Sequence, residues 1–383
     1  MRVGMLVDMY TPHVSGVTNY VSTYKRALEA RGHEVWVVTF GNTDYPDEEE
    51  RVLRSPGIPW GRTGWHLGLG YSREAREIVA GLDVAHVHHP FLSGELSSRI
   101  CRPLGIPIVF TNHTRYDMYA DVYARFVPRA VRQGFVRWGM RRFLSAADAV
   151  LAPSERIAGW LRSCGYAEEP VVLPNAVDVR RFAEPDGVPL TKRDLGFEDD
   201  DVVAVYLGRV GHEKQMLELA DAFASARAAC PPLRLLVLGD GPAMGDFKRR
   251  LAELGVTDSV VLRGLVYPAE VPIHLLAGDF FVTASVTETY PLVLIEAMAA
   301  GLPAVGVDSP GVGEIISHEV NGLLADDHGS LADAIARMAC DPALRERLAL
   351  SAARDAWRDD IGTRVEELLR IYADAMERRR GRR

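Results

Sequence analysis

The chain has 383 residues, of which 48% are hydrophobic and 25% are charged, and it carries a formal net charge of −8. That length exceeds a single ordinary core and predicts two domains, while the acidic balance argues against a nucleic-acid-binding protein. No apolar run reaches the roughly 20 residues of a membrane-spanning helix, and the N-terminus enters a strand-like segment without a signal-peptide pattern. The cysteines are scattered without the spacing of a metal site. These properties predict a cytoplasmic enzyme.

Apolar strand-like runs alternate with helical patterns from end to end, which is typical of parallel sheets built from βαβ units. The strands predicted in the first half are 3–7, 34–39, 84–88, 108–111, 149–152 and 171–173, with a helix over 18–31. The chain then becomes polar and irregular over 184–189, where we expect the domain junction. The predicted domains are therefore 1–183 and 184–361.

A second series of alternating elements follows the junction. Its predicted strands are 202–207, 234–238, 260–263, 279–283 and 304–307, and its predicted helices are 215–228, 244–254 and 292–300. A last helical region runs from about 330 to 380, with breaks expected near Pro342 and Gly362. The sequence therefore predicts an α/β protein with two Rossmann-like domains.

Two glutamates eight residues apart, Glu288 and Glu296, are the most informative feature of the chain. Glu288 falls in the loop at the carboxyl end of strand 279–283, and Glu296 lies about one turn into the helix that follows. Such loops and helix N-termini bind anionic ligands in open α/β sheets. Carboxylates at this place would repel phosphate, so we expect them to bind hydroxyl groups. A sugar nucleotide supplies hydroxyls on both its sugar and its ribose.

Two cations, Arg209 and Lys214, occupy the turn after strand 202–207. Arginine offers planar paired donors and lysine a compact charge, so together they can hold a diphosphate. Fixed cations that hold the negative charge building on a departing phosphate lower the barrier to its departure. The alternative is a surface helix cap with two solvated cations.

The stretches Gly208 to Lys214, Glu288 to Gly301 and His113 to Tyr116 together resemble family 4 retaining glycosyltransferases of the GT-B type. The resemblance implies two Rossmann-like βαβ domains facing each other across a cleft. It also implies a last helix, about 362–383, that packs back on the N-terminal, acceptor-binding domain. The motifs are most similar to diacylglycerol glucosyltransferase-like and related mannosyltransferase-like members. The loop before Gly16 departs from the family, because Ser15 stands where a second glycine is common.

The resemblance implies roles for three groups of residues. Those expected to act in catalysis are His113, Arg209, Lys214 and Glu288. Those expected to bind the donor are Gly16, Gly239, Gly241, Gly264, Leu265, Val266, Thr289, Tyr290, Pro291, Leu292 and Glu296. Those expected on the acceptor side are Arg115, Tyr116 and Tyr119. The family uses its arginine and lysine in place of a metal, and the nucleoside diphosphate sugar is a co-substrate, so we expect neither metal nor cofactor.

The stretch 122–145 interleaves arginines with aromatic residues and contains no acid. A basic helical segment with aromatics can dock on anionic lipid head groups, so this stretch is a candidate contact with a membrane surface. The alternative is a helix packed in the core whose arginines form its wet face. Docking would make the enzyme peripheral on the inner face of a membrane.

The function predicted is transfer of a hexose from a nucleoside diphosphate sugar to an acceptor hydroxyl, with retention of configuration. The first candidate donor is UDP-glucose and the first candidate acceptor is a membrane lipid, because the motifs resemble those of the lipid glucosyltransferases. Mannose from GDP-mannose, or a soluble small-molecule or glycan acceptor, is the alternative. A sugar-nucleotide 2-epimerase and a non-catalytic nucleotide-sugar-binding protein are alternatives from other classes.

Overall fold

A computed structural model describes residues 1–13, 15–60, 65–68, 70–123, 126–185 and 187–381. It divides the chain into a first unit, Met1–Asn175 with Ile361–Arg383, and a second unit, Ala176–Asp360. The boundary lies earlier than the junction predicted at 183/184. Val177 pairs with Asp360, and the helix Arg180–Ala183 packs on helices of the second unit, so these residues fold with it.

The strands and helices alternate along most of the chain. The strands are β1 (Arg2–Leu6), β2 (Glu34–Gly41), β3 (Val52–Trp60), β4 (Trp65–Gly68), β5 (Val84–Val87), β6 (Ile108–Thr111), β7 (Ala149–Ala152), β8 (Val171–Val172), β9 (Val202–Leu207), β10 (Leu233–Leu238), β11 (Val260–Gly264), β12 (Phe280–Thr283), β13 (Ala304–Val307) and β14 (Gly322–Ala325). The helices are α1 (Gly16–Glu29), α2 (Arg73–Ala80), α3 (Ser93–Leu104), α4 (Tyr116–Tyr123), α5 (Arg129–Leu144), α6 (Glu155–Ser163), α7 (Arg180–Ala183), α8 (Met216–Ala229), α9 (Met244–Glu253), α10 (Val271–Leu275), α11 (Leu292–Ala299), α12 (Val312–Ile315), α13 (His328–Cys340), α14 (Pro342–Ala356) and α15 (Ile361–Gly381).

Each unit contains one sheet whose central strands are buried on both faces. The sheet of the first unit has the order β4-β3-β2-β1-β5-β6-β7-β8 and is parallel except between β3 and β4. The sheet of the second unit has the order β11-β10-β9-β12-β13-β14 and is parallel throughout. All residues of β6, β12 and β13 are buried, which explains why these strands read as unbroken apolar runs.

The strand order reverses once in each sheet. In the first unit β2 to β4 extend on one side of β1 and β5 to β8 on the other. In the second unit β10 and β11 lie on one side of β9, and β12 to β14 lie on the other. The loops that leave the two central strands turn in opposite directions at such a switch point, so a crevice opens outside their carboxyl ends. This geometry positions the candidate site.

The sequence prediction did not include three of the described strands, β3, β4 and β14. The segment of β3 contains Pro56, Gly57 and Pro59, which weaken the apolar alternation that marks a strand. It is a strand because its first half pairs with β2 and its second half with β4. The four residues of β14 pair with β13 at the edge of the second sheet.

The last helical region breaks where predicted. Helix α13 ends before Asp341, whose side chain caps α14, and a short 3-10 turn precedes α15. Helix α15 belongs to the first unit, where Tyr372 is fully buried and Arg31 pairs with Glu366 at 2.6 Å. Among the described residues, no helix combines the length and the apolar composition that crossing a membrane requires.

Candidate functional site

The turn after β9 presents the two predicted cations. Arg209 is half-exposed, and its Nη1 lies 3.6 Å from Oε1 of Glu213, a carboxylate that is almost fully buried. The Tyr206 hydroxyl, on β9, donates a 3.0 Å hydrogen bond to the Arg209 carbonyl. Lys214 follows at the end of a 3-10 turn. A buried acid and a buried hydroxyl therefore fix the turn that carries both cations.

Lys214 forms an ion pair with Glu288, which lies in the loop after β12. Because β9 and β12 are neighbours at the switch point, the pair spans the place where the strand order reverses. The two side chains remain 21% and 18% exposed, so solvent or a ligand can reach both. A cation and a carboxylate thus meet where an open α/β sheet binds its ligands.

The loop after β12 is held from several sides. The Thr287 hydroxyl donates to the Glu213 carbonyl at 3.1 Å, and the Tyr290 hydroxyl donates to Asp359 at 2.7 Å. A side chain at Gly311 would come within 2.6 Å of the Glu288 carbonyl oxygen, so only glycine allows this close approach. Thr289 is buried, while Pro291 and Leu292 begin α11.

The loops after β9, β10 and β11 pack together through glycines. Gly239 has a φ of +143°, and a Cβ there would overlap the Gly208 carbonyl. Its N–H donates to the Gly264 carbonyl at 2.7 Å. Gly241 similarly approaches the backbone of Val210. Beyond Gly264, the side chain of Leu265 is exposed and that of Val266 is buried, so of the two only Leu265 is open to a ligand.

Glu296 lies on α11 and has a half-buried carboxylate. Among the described residues, its carboxylate has no hydrogen-bond or ion-pair partner, and only its backbone carbonyl accepts a hydrogen bond, from Ala300. Burial raises the pKa of its carboxyl group to about 7, and the positive charge of Arg181 on α7 opposes that rise. A carboxylate in this state has the capacity to accept hydrogen bonds from ligand hydroxyls.

The structure brings Arg209, Lys214 and Glu288 together on two adjoining loops. Glu296 follows on the next helix, α11, where the charge of Arg181 acts on its carboxyl group. All four residues belong to the second unit. His113, the fourth residue expected in catalysis, belongs to the first unit.

His113 stands after β6, where its Nε2 lies 2.9 Å from Nδ1 of His88. The other ring nitrogen of His88 lies 3.3 Å from the sulfur of Met5. A thioether can only accept, so His88 carries its proton on Nε2 and accepts at Nδ1. His113 must then donate from Nε2. Burial lowers the pKa of both imidazoles well below the usual value, so both rings are neutral.

His86 extends this ring cluster into the core. Its two nitrogens lie 2.6 Å from the Tyr372 hydroxyl and 2.7 Å from the Thr111 hydroxyl. Burial lowers its pKa to about 3, so this ring is also neutral. In the part of the chain that the structure describes, no group of three His, Cys, Asp or Glu side chains is arranged to hold a metal ion.

The switch point of the first unit lies between β1 and β5 and has its own polar contacts. The Asp8 N–H donates to Nδ1 of His89 at 3.1 Å, and the Asp8 carboxylate accepts from the backbone and the hydroxyl of Ser93. Gly16 is the first residue of α1, after Ser15, which caps the helix. Among the described residues, no atom outside its chain neighbours lies within 4 Å of the place that a Cβ on Gly16 would occupy.

The residues predicted on the acceptor side lie around the start of α4. Arg115 makes two hydrogen bonds to Asp117, at 2.8 and 2.7 Å, and its guanidinium lies over the Trp160 ring. The Tyr116 ring meets Phe91 edge-on. Tyr119 lies within α4, but its side chain is outside the described residues.

An open pocket of about 370 Å³ lies in the first unit, bounded by the loops after β1 and β2. Tyr10, His13, Asn42 and Tyr45 are among its lining residues. Arg54 also lines it, but the guanidinium is held by Asp47. Because that charge is neutralised, the pocket offers aromatic and neutral polar groups.

Sequence reasoning missed several residues that shape the site. Tyr206 is hidden in an apolar strand, where its need for a hydrogen-bond partner was the only available signal. Gly311 and Thr287 act through contacts with loops far away in the sequence. Glu213 looks like a solvated acid next to Lys214, yet it is buried beneath the turn.

Comparison with known proteins matches both halves of the chain to glycosyltransferase families. Residues 14–181 match the family model described as Glycosyltransferase Family 4, and residues 188–355 match the one described as Glycosyl transferases group 1. The chain is 30% identical to the alpha-monoglucosyldiacylglycerol synthase of Streptococcus pneumoniae, with 98% of this chain and 86% of that protein covered. It is 28% identical to the GDP-mannose-dependent alpha-mannosyltransferase of Mycobacterium tuberculosis, with 99% and 98% covered.

The fold is shared with solved structures of low sequence identity. The Anabaena protein HepE in complex with UDP and glucose matches with a TM-score of 0.78 at 18% identity, over 98% of this chain and 100% of that one. Two parallel-sheet Rossmann-like domains, a family match in each half and a 30% identical relative lead to one conclusion. The chain belongs to the family 4 glycosyltransferases and has their GT-B fold.

Proposed function

We propose that this glycosyltransferase moves glucose from UDP-glucose to the hydroxyl of a membrane diacylglycerol, with retention of the anomeric configuration. The observation that carries the proposal is the Lys214–Glu288 pair at the switch point of the second sheet. In a nucleotide sugar the diphosphate and the sugar are joined by a single oxygen. A cation that binds the diphosphate must therefore lie next to a hydrogen-bond acceptor that binds the sugar hydroxyls, as Lys214 lies next to Glu288.

The second unit is proposed to bind the donor. Lys214 and Arg209 hold the diphosphate, and the charge that develops on it during departure strengthens both interactions. Glu288 accepts hydrogen bonds from sugar hydroxyls, and backbone N–H groups near Thr289 to Leu292 at the start of α11 assist it. Glu296 accepts from the ribose hydroxyls. No metal is needed, because the two cations supply the charge stabilisation.

The first unit is proposed to bind the acceptor. His113 is proposed to act at the reacting carbon as a neutral ring, which can orient a hydroxyl without adding charge. No side chain is assigned as a nucleophile. Departure and attack on the same face of the sugar, with the leaving phosphate taking the acceptor's proton, balance the reaction without one. Gly16 is proposed to let the donor phosphates approach the start of α1.

The choice of donor and acceptor is supported by the relatives. The Streptococcus pneumoniae protein is named a glucosyldiacylglycerol synthase, and the Anabaena structure holds UDP and glucose. GDP-mannose is the second candidate donor, supported by the Mycobacterium tuberculosis mannosyltransferase.

The test is a turnover assay with two donors and two acceptor types. UDP-glucose and GDP-mannose are each incubated with dioleoylglycerol in vesicles, or with soluble polyols, and the product anomer is assigned by NMR. Alpha-glucosyl lipid from UDP-glucose is the expected product. A beta-linked product would overturn retention, and transfer only to soluble polyols would overturn the lipid acceptor.

The same samples separate the two other functional classes. A 2-epimerase converts the donor without any acceptor, so an epimer in the donor-only sample would contradict the proposal. A non-catalytic binding protein would bind the donor yet produce neither glycolipid nor free sugar.

Helix α5 supports a membrane-associated acceptor. Its buried face is Val136, Met140, Phe143 and Leu144, which pack in the core of the first unit. Its outer face exposes Val131, Phe135 and Trp138, which follow the spacing i, i+4, i+7 and so form one stripe. Phe126, just before the helix, is 84% exposed.

Arginines flank this apolar stripe. Arg132 is held by Asp121 at 2.6 Å and is only partly exposed. The exposed arginines are Arg129, which lies 3.8 Å from Asp121, Arg142, which pairs with Glu95 at 2.9 Å, and Arg137 and Arg141. Arg125 lies outside the described residues. Exposed aromatics beside arginines suit the interface of an anionic bilayer, where each arginine contributes about 1 kcal/mol. We therefore propose peripheral binding to the cytoplasmic face of a membrane.

Vesicle co-sedimentation tests this part of the proposal. The double variant F135S/W138S should lose most of its binding to phosphatidylglycerol vesicles, while its thermal stability stays unchanged because both rings are in solvent. The matched control is Leu350→Ser, an equally exposed apolar residue of the second unit. Equal vesicle binding by the double variant, the control and the native chain would remove α5 from membrane docking.

A further inference from the structure

Gln215 stands between the turn that carries Lys214 and the start of α8, and its backbone is left-handed, with φ 55° and ψ 48°. Its side-chain oxygen accepts a 3.1 Å hydrogen bond from the backbone N–H of Val286, in the loop after β12. The orientation of the amide is fixed, because a backbone N–H can only donate and the amide oxygen is the group that accepts.

A second hydrogen bond runs beside the first. The Thr287 hydroxyl donates to the Glu213 carbonyl at 3.1 Å. The residues on either side of Lys214 are thereby tied to the two residues that precede Glu288. The ion pair itself is the third link in the same row.

We propose that Gln215 is a positioning residue for the Lys214–Glu288 pair. The hydrogen bond from the Val286 N–H to the Gln215 side-chain oxygen, the clip, holds the loop after β12 against the turn after β9. The inference rests on the roles proposed above for Lys214 and Glu288. It adds a residue that touches neither the diphosphate nor the sugar and acts only by keeping two binding groups in register.

The backbone of Gln215 supports this assignment. A side chain with a Cβ is strained in the left-handed region, whereas glycine adopts it freely. Glutamine is therefore a locally unfavourable choice at this position. A strained residue that persists at a functional site is expected to contribute something that glycine cannot supply, and here that is the amide oxygen.

The test uses two variants that separate the hydrogen bond from the strain. Gln215→Ala and Gln215→Gly both remove the amide, but only alanine keeps the strained backbone. If the clip matters, both variants lose kcat by about 10-fold to 100-fold, because small misplacements at a reacting centre are costly. The two variants should differ in melting temperature. Q215A should melt about 2 to 4 °C below Q215G, because only alanine is strained in the left-handed conformation.

Glu319→Gly is the matched control, because Glu319 is a non-glycine residue of the same unit with a φ of 60°. It lies at the turn before β14, the edge strand, which β13 separates from β12. Its kcat should equal that of the native chain. A purely structural role for Gln215 predicts that Q215G, like E319G, keeps native turnover, and that result would overturn the proposal.

Hydrogen exchange tests the clip without reference to activity. The segment 284–291 should exchange faster in Q215A and Q215G than in the native chain, because the Val286 N–H loses its acceptor. Unchanged exchange in both variants would show that the amide does not hold the loop.

Calorimetry with UDP, and with GDP where UDP does not bind, separates failure of the clip from failure of the proposed function. The native chain should bind one of them, and both Gln215 variants should bind it several-fold more weakly. A native chain that binds neither overturns the proposed function and the clip with it. Native binding that the Gln215 variants match, while Lys214→Ala loses it, overturns the clip alone.

Discussion

The carboxyl ends of the strands carry different chemistry in the two units, although both sheets reverse their strand order once. In the second unit Lys214 and Glu288 form a charged pair that remains partly open to solvent. In the first unit the buried His86 and His88 and the partly exposed His113 form a row of neutral rings. Fixed charges suit the diphosphate and sugar of a donor, and neutral hydrogen-bonding groups suit an acceptor hydroxyl. We therefore propose that the same scaffold serves two chemically different ligands.

The two units also differ in how their strand-end glycines are packed. Gly239 in the second unit packs against the Gly208 carbonyl, whereas a Cβ on Gly16 in the first unit would meet no atom of the described residues within 4 Å. One glycine is required by packing within the protein. The other leaves room beside the start of α1, where we propose that a ligand approaches.

The largest effect on turnover should come from removing the positive charge of Lys214 in the second unit. Lys214→Ala should lower kcat by two to three decades, about 2–4 kcal/mol of barrier, because a cation no longer meets the charge that builds on the leaving phosphate. Steady-state turnover with the preferred donor measures it. Lys192→Ala is the matched control, since Lys192 pairs with Asp279 at 2.7 Å with similar exposure at the opposite ends of the strands. Equal turnover in the two variants would assign no catalytic role to Lys214.

The second prediction concerns the contrast between the two glycines. Gly239→Ala should destabilise the protein by about 2–3 kcal/mol, because its φ is strained for alanine and its Cβ would overlap Gly208. Gly16→Ala should change the free energy of unfolding by less than about 0.5 kcal/mol. Thermal unfolding measures both. If Gly16→Ala also leaves the donor KM unchanged, the donor does not pass close to Gly16.

The third prediction follows from the raised pKa of Glu296. If only the carboxylate accepts from the ribose hydroxyls, its ionised fraction controls affinity, and a pKa of about 7 puts that change between pH 6 and pH 8. The Kd for UDP-glucose should therefore tighten by up to about tenfold over this range. The donor itself does not titrate there. In Glu296→Gln the affinity should be weaker and independent of pH, and an equal slope in both proteins would contradict the ribose assignment.

Stability should respond to the same group in the opposite direction. The pKa of Glu296 is raised in the folded state, so the folded protein holds this proton more tightly than the unfolded chain does. Its contribution is fully present below pH 4.5 and is lost as the pH rises through about 7. Glu296→Gln should therefore be more stable than the native chain at pH 8 and equal to it near pH 4.

The smallest effect should come from the neutral row of the first unit. His88→Leu removes the acceptor of the His113 N–H and should lower kcat by about three- to tenfold, the worth of one buried hydrogen bond. His88→Asn keeps an acceptor near the same place and should recover most of the loss. The ¹⁵N shifts of the His113 ring report its tautomer. The Nε2–H form should persist in His88→Asn and not in His88→Leu.

Much of the architecture was predictable because its signals are local. The buried strands β6, β9 and β12 read as largely apolar runs, and Pro342 and Gly362 mark the breaks in the last helical region. The placement of Arg209, Lys214, Glu288 and Glu296 after strand ends follows from the same local patterns. The strand β3 was missed, because its prolines hide a pairing that only its neighbours create.

The amino-acid sequence by itself determined the alternation of strands and helices, the family and the set of charged residues that end in the strand-end loops. Tertiary structure alone decided that Lys214 meets Glu288, that Glu213 is buried beneath the turn and that Gln215 reaches Val286. These contacts join loops more than 70 residues apart in sequence. They depend on β9 and β12 being neighbours, and strand order is set by the packing of the whole sheet, which no local pattern encodes.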